Sequence, residues 1–389
     1  MRILLTGGRS PAALELARLL WRAGHPVVMA ESVGWHLSRG SRAIARQVVL
    51  PAPAQAPAAY VDALEALLRR ERIDLLVPNG EEIFYIAAAL EKLTAVCPVL
   101  CPPLESLLPM HDKGRFAELV RGHGLLAPAS VRVQDRKMLE QALTQAWQEG
   151  RQVVAKPVFS RFAARVVVDP RHMADVAAVT PSPEDPWLVQ DLVRGRHLCT
   201  YGLARAGRLV AHSAYATRYT LGIGASVHFV ADPDPALRQW VAQLVAAEQW
   251  TGQIAFDLIA DDGGQLWAIE CNPRMTSGFH LLAHQPDLVA AVLGQETADI
   301  DAQGAPPAML GTSMLLALPG ALRSGLGWRA WWRDYRSARD VGADFGDPLP
   351  MVASRFLWMA SVVWRARRLG LTAQQAATVD TEYNGQAFD

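Results

Sequence analysis

The sequence predicts a mixed α/β protein of three lobes with a helical tail. Three observations point there. The 389 residues exceed what one ordinary hydrophobic core accommodates. The first hundred alternate strand and helix, the pattern of a parallel sheet. From residue 187 onward strands dominate and lead into the hairpin "GQIAFDLIADDGGQLWAIECN", which implies an antiparallel sheet.

The opening run "RILLTGGRSPAALELARLLWRAGHPVVMAES" reads as strand, glycine turn, amphipathic helix and strand, with Leu14, Ala17, Leu20 and Trp21 at helical spacing and Gly24 as the stop. A second helix, "AAYVDALEALLRRERI", and a third strand, "DLLVPNG", complete a doubly wound lobe over 1–105. Proline-rich "CPVLCPPLESLLP" marks its edge. A small α+β lobe over 106–188 follows: helix "HDKGRFAELVRGHG", helix 136–148, then strands "QVVAKPV" and "RVVVDP" with "SRFAA" looping between them. The larger lobe, 189–300, holds the strand-rich segment and helix 235–249. Residues 301–389 read as a helical extension packed on the larger lobe.

Composition narrows the function classes. Apolar residues are 51% and charged residues 20%, as in a compact globular protein. With 38 Lys+Arg against 38 Asp+Glu no global field attracts nucleic acid, so no nucleic-acid partner is expected. No stretch reaches the length of a transmembrane helix, and the four cysteines lack the spacing of a disulfide framework or zinc site. A reduced, cytoplasmic protein is expected. The tail combines tryptophan with arginine in "GWRAWWRDYRSARD", which reads as packing helices before membrane-surface ones.

The hairpin carries the chemistry. If Ala260 pairs with Gln265 across "ADDGG", Asp257 lies opposite Ala268, Glu270 is its diagonal neighbour, and Asn272 continues that face. Two carboxylates and an amide among apolar neighbours would repel unless a cation sat between them. Oxygen ligands without histidine or thiolate suit magnesium, completed by water and phosphate. Arg274 follows on the same strand end. Lysine occurs only four times, and Lys156 ends an apolar strand, where a buried ammonium calls for an anion. Lys113 opens a helix and could reach that anion. The strand end "WLVQDLVRGRH" could offer backbone groups to a purine edge.

In this order, Lys113, Lys156 in "AKP", "VQDLVRGRH", "FDLI" and "ECNPR" followed by "TSG" resemble the ATP-grasp superfamily, most closely its carboxylate-amine ligases, over about residues 1 to 290. The resemblance implies a Rossmann-like pre-ATP-grasp lobe, a small lobe and a larger lobe, with ATP between the last two. It implies that Lys113 and Lys156 hold the α- and β-phosphates, that Gln190, Asp191 and Leu192 form the adenine hinge, and that His197 lies near the ribose. Asp257, Glu270 and Asn272 would bind two Mg²⁺ ions bridged by Glu270, with Mn²⁺ as a substitute. The loop "FSRFAARV" lacks the family's glycines, and Ser160 and Arg161 are expected to act through side chains instead. His197 and Asp257 replace the more usual glutamates.

The implied reaction activates a substrate carboxylate as an acyl phosphate, releasing ADP. An amine then attacks, with Arg274 and Arg218 at the oxyanion. "SRFAA" and "TLGIGAS", with Gly222 and Gly224, are the expected lids. The partners are a small carboxylate and an amine, and related ligases suggest a homodimer. Two other readings compete. The turn "LLTGGRSPA" with Glu31 suggests an NAD(P)-binding protein, although GxGxxG is absent. A catalytically inactive ATP-binding module is the other.

Overall fold

The computed structural model describes residues 1–161, 165–221, 225–386 and 388. A four-stranded parallel sheet forms from the N-terminal third, in the order Ile44–Val49, Val27–Glu31, Ile3–Leu5, Leu75–Val77. Strands Ile3–Leu5, Val27–Glu31 and Leu75–Val77 are buried along their whole length, which is why they read as apolar runs broken only by Glu31. The edge strand Ile44–Val49 escapes sequence reading because Arg46 and Gln47 interrupt "IARQVV" and none of its residues is fully buried. Gly7 has φ +72°, and a Cβ on Gly8 would sit 2.7 Å from the His36 ring, so both glycines of the first turn are required.

The second sheet is antiparallel in the order Ser130–Val133, Trp187–Asp191, Val153–Pro157, Val167–Val168. Strand Trp187–Asp191 therefore pairs wholly within this sheet, and the division expected after residue 188 would cut it in two. Helix Arg136–Gln148 covers the sheet with Leu139, Leu143 and Ala146, spaced i, i+4, i+7, and Asp135 caps it by accepting from Met138 N at 2.7 Å.

The third sheet has five strands, Leu266–Asn272, Gly252–Ala260, Arg196–Arg205, Arg208–Ala216 and Ile300–Asp301. Helix Pro235–Ala247 and helix Lys113–Gly122 bury their apolar faces on it. Trp240 meets Phe256 edge-on at 5.1 Å, and Phe116 stacks on the same ring at 5.9 Å. Phe116 and Phe256 are fully buried, worth about 2 to 3 kcal/mol each by area. The packing carries the N-terminus of helix Lys113–Gly122 over the hairpin, although in sequence this helix precedes the second sheet.

The C-terminal residues correct the expected extension in two ways. They are not purely helical: strands Ala308–Met309 and Arg339–Asp340 join His228–Phe229 in a small sheet. They also pack on the parallel-sheet lobe as well as the larger one. Buried Asp347 accepts from Arg18 Nε at 2.9 Å, Ser41 Oγ at 2.6 Å and Arg42 N at 2.8 Å. Asp380 pairs with Arg9 and Arg365 at 2.8 and 2.7 Å. No helix among the described residues is long and apolar enough to cross a membrane. All four cysteines are free.

Candidate active site

The hairpin differs from its sequence reading by one residue, and the difference tightens the site. The turn is one residue longer than expected. Asp261 N donates to Gln265 O at 3.0 Å, and Gly264, with φ +77°, occupies the left-handed position. Asp261 then holds the loop through Gly263 N and Gln265 N, both at 2.9 Å, and Trp267 Nε1 at 2.9 Å. Ala260 consequently pairs with Leu266. Leu258 pairs with Ala268, and a bulge at Ile269 shifts the register so that Asp257 stands directly opposite Glu270. The two carboxylates are cross-strand partners instead of diagonal neighbours.

The bulge has a second effect. It turns the Ile269 carbonyl toward the small sheet, where Lys156 Nζ donates to it at 3.2 Å. Lys156 is 5% exposed at the end of strand Val153–Pro157. Lys113 is buried too. Asp112 caps its helix, accepting from Gly114 N and Arg115 N at 2.9 and 3.1 Å, which fixes the first turn. Its ammonium lies 3.4 Å from Glu270 Oε2 and donates to Ser160 O at 3.1 Å. Two lysines from different elements thus converge on one pair of acids.

The charges are unequal. Burial lowers the Lys156 pKa to about 7, and neighbouring Lys113 pushes it the same way against the pull of Glu270 and Asp257. Burial and the Glu270 charge raise Asp257 well above an ordinary carboxylate. For Glu270 burial acts upward, but Lys113, the bond to Asp257 and Lys156 outweigh it, and the group is held low. Two unit charges about 4 Å apart at a protein surface cost on the order of 4 kcal/mol. The pair must therefore share a proton or a cation.

The remaining expected residues fall into two groups. Arg274 stays with the cluster: its guanidinium donates to Asn272 Oδ1 at 3.0 Å and lies 3.6 Å from Glu81 Oε1. Gln190 is 4% exposed, and its side-chain nitrogen has no partner among the described residues, the state a hydrogen-bond-accepting ligand relieves. The hinge backbone is less open than expected, since Asp191 N donates to Ala129 O and Leu192 N to Gln152 O, both within 2.9 Å. The Asp191 carboxylate is held by Arg151 at 2.6 Å. His197 is exposed on strand Arg196–Arg205.

Three of the expected residues have other partners in this structure. The buried Glu81 carboxylate needs a counter-charge and binds the Arg161 guanidinium. Ser160 contributes its carbonyl, to Lys113, where a side-chain role was expected. Arg218 pairs with Asp334 at 3.2 Å beside the Tyr219 ring, which leaves its charge committed outside the cluster. The lid residues 162–164 and Gly222 and Gly224 lie outside the described residues.

Sequence reading missed Glu81. It joins Arg161, Arg274 and, through Tyr383 N at 3.4 Å, the C-terminal segment. Burial would raise its pKa, but Arg161, His111 and Arg274 hold it at about 2. Its signal was present in "PNGEE", where two acids follow a buried strand and a turn.

Among the described residues no three His, Cys, Asp or Glu side chains gather as a metal site. The two carboxylates and the Asn272 amide nonetheless fit a hard divalent cation that keeps water and phosphate oxygens as its other ligands.

With this geometry in hand, the solved structures are informative. The chain overlays on an N5-carboxyaminoimidazole synthetase from Staphylococcus aureus complexed with ADP, with a TM-score of 0.63, 14% identity, and 84% and 87% of the two chains covered. A biotin carboxylase domain dimer from Hydrogenobacter thermophilus, in complex with MgADP and bicarbonate, gives 0.60 at 15% identity over 79% and 73%. An L-amino acid ligase from Bacillus licheniformis gives 0.57 at 17% identity over 73% and 70%. The chain has the ATP-grasp fold. No family model and no curated protein sequence matches it. In the ATP-grasp arrangement the Lys113, Lys156, Asp257 and Glu270 cluster falls where the small antiparallel sheet meets the larger one.

Proposed function

We propose that this ATP-grasp chain is a ligase that uses ATP to activate a carboxylate and joins it to an amine. The observation that carries the reading is the direct opposition of Asp257 and Glu270 beneath two buried lysine ammoniums. Acids so placed ask for a cation, and lysines so placed ask for an anion. A magnesium–polyphosphate satisfies both at once. The adenine would lie along Gln190 to Leu192, and the lobes would divide near residues 105, 191 and 300.

The chain's own residues then do three things. Lys113 and Lys156 neutralise the phosphate oxygens and keep the transferred group in line with its acceptor. Asp257, Glu270 and Asn272 would hold Mg²⁺, or Mn²⁺ in its place, and the ion would supply further charge neutralisation on the phosphates. Arg274, fixed between Asn272 and Glu81, offers its remaining N–H groups to the carboxylate and then to the oxyanion formed when the amine adds. The ADP and MgADP complexes of the similar structures and the L-amino acid ligase among them support this reading. A homodimer and a cytoplasmic location remain part of the proposal.

The nicotinamide alternative loses support at Glu31. Arg9 engages both of its oxygens, at 2.5 and 3.1 Å, and Asp380 fills the crevice beside them. An inactive module is disfavoured by the complete set of acids and lysines. The test is ADP release from MgATP across pooled carboxylates, with and without amines, followed by mass spectrometry of the product. Carboxylate-dependent ADP release that drops at least a hundredfold in Glu270→Gln supports the ligase. Equal release by wild type and variant overturns it.

A further inference from the structure

A cavity of about 310 Å³ lies beside the phosphoryl cluster, between Phe159–Arg161 and the C-terminal segment. It shares its wall with the cluster. Glu81, which lines it, binds Arg161 and approaches Arg274, and Ser160, which also lines it, bonds Lys113. An amino-acid-sized molecule fits this volume.

The unmatched charge on its walls is negative. Glu81 is answered by Arg161, and Asp185 by Arg165 at 2.6 Å. Glu382 is 3.9 Å from Arg161 and accepts from Thr378 Oγ1 at 2.6 Å, while Glu184 is exposed without a partner among the described residues. Phe159 and Tyr383 add aromatic surface. Such a pocket suits a cationic head on an apolar body.

His111 lines the same cavity. Its Nε2 donates to the Tyr383 carbonyl at 2.9 Å, and since a carbonyl only accepts, the proton sits on Nε2 and the lone pair on Nδ1. That Nδ1 has no hydrogen-bond partner among the described residues. Burial, opposed by Glu81, lowers the pKa of the ring. We propose that the cavity seats the amine acceptor and that His111 Nδ1 is the base that takes its proton, an inference that rests on the ligase reading above. An ammonium drawn in by Glu382 and Glu184 first cedes one proton through the imidazole to solvent. The neutral nitrogen's electron pair then forms the bond to the acyl carbon. The carbon–oxygen bond to the phosphate breaks with its pair on phosphate, and the nitrogen's surplus proton passes to Nδ1 and on to the departing phosphate.

The experiment compares two nucleophiles for one activated acid. Hydroxylamine is unprotonated at neutral pH and needs no base, whereas amino-acid amides, supplied as a pool, arrive as ammonium ions. Wild type and His111→Gln, whose amide can still donate to Tyr383 O, are assayed with the carboxylate found in the ADP screen, and amide and hydroxamate are quantified together. The amide-to-hydroxamate ratio, which does not depend on the folded fraction, is expected to fall at least tenfold. Glu382→Gln should raise the KM for the amide pool at least fivefold. An unchanged ratio in His111→Gln, or an unchanged KM in Glu382→Gln, overturns this inference. No hydroxamate from wild type would instead overturn the ligase reading beneath it.

Discussion

Among single residues, Lys156 stands out because its surroundings oppose its charge. In the unfolded chain it titrates near 10.4, and in the folded one near 7, so between these values the folded state binds fewer protons. Stability therefore rises with pH across that window. Polyphosphate binding favours the ammonium and reverses the shift. Calorimetry in buffers of different ionisation enthalpy should find uptake of most of one proton per MgATP at pH 8 and almost none at pH 5.5. Lys156→Met should raise or preserve the unfolding midpoint while weakening MgATP at least tenfold, because a buried charge is exchanged for a chain of similar volume. The meeting of acids and lysines was legible in the residue types: lysine is scarce, and acids seldom sit in apolar strands. The partners of Arg161 and Arg218 were not legible, since no local pattern links them to Glu81 and Asp334.

At the scale of elements, the bulge at Ile269 decides the geometry, and sequence periodicity carries no mark of it. Alternation in "LWAIECN" puts Glu270 and Asn272 on one face with or without a bulge, but only the bulge aligns Asp257 with Glu270. Helices were more readable, because caps and spacing are local: Arg136–Gln148 agrees with its expected 136–148, and Pro235–Ala247 ends two residues short. Gly195 is the tightest contact near the hairpin. Its φ is +155°, and a Cβ there would lie 2.0 Å from the Ala260 carbonyl oxygen. Gly195→Ala must push strand Gly252–Ala260 away from the hinge. A loss of about 2 kcal/mol or more in denaturant unfolding, with weakened MgATP binding, is expected.

For the whole molecule, the C-terminal segment closes on the beginning of the chain through buried ion pairs separated by more than three hundred residues. No local pattern announces such contacts, and this part of the fold was the least legible. Asp347→Ala would leave Arg18, 3% exposed, with only the Asp344 carboxylate 3.8 Å away. A cost of about 3 to 5 kcal/mol is expected from chemical denaturation. Acid should act at the same seam. Glu81, at about 2 when folded against 4.5 when free, stabilises the fold above pH 4.5, and its contribution is lost as pH falls toward 2. Limited proteolysis along a pH series should therefore release the C-terminal segment before the parallel-sheet lobe unfolds.

The depressed Lys156 has one more consequence. An unprotonated amine beside a freshly made mixed anhydride is a rival nucleophile, and a chain that acylated itself there would stop after one turnover. On the ligase reading proposed above, a proton arriving with the nucleotide would remove that lone pair for as long as the reactive species is present.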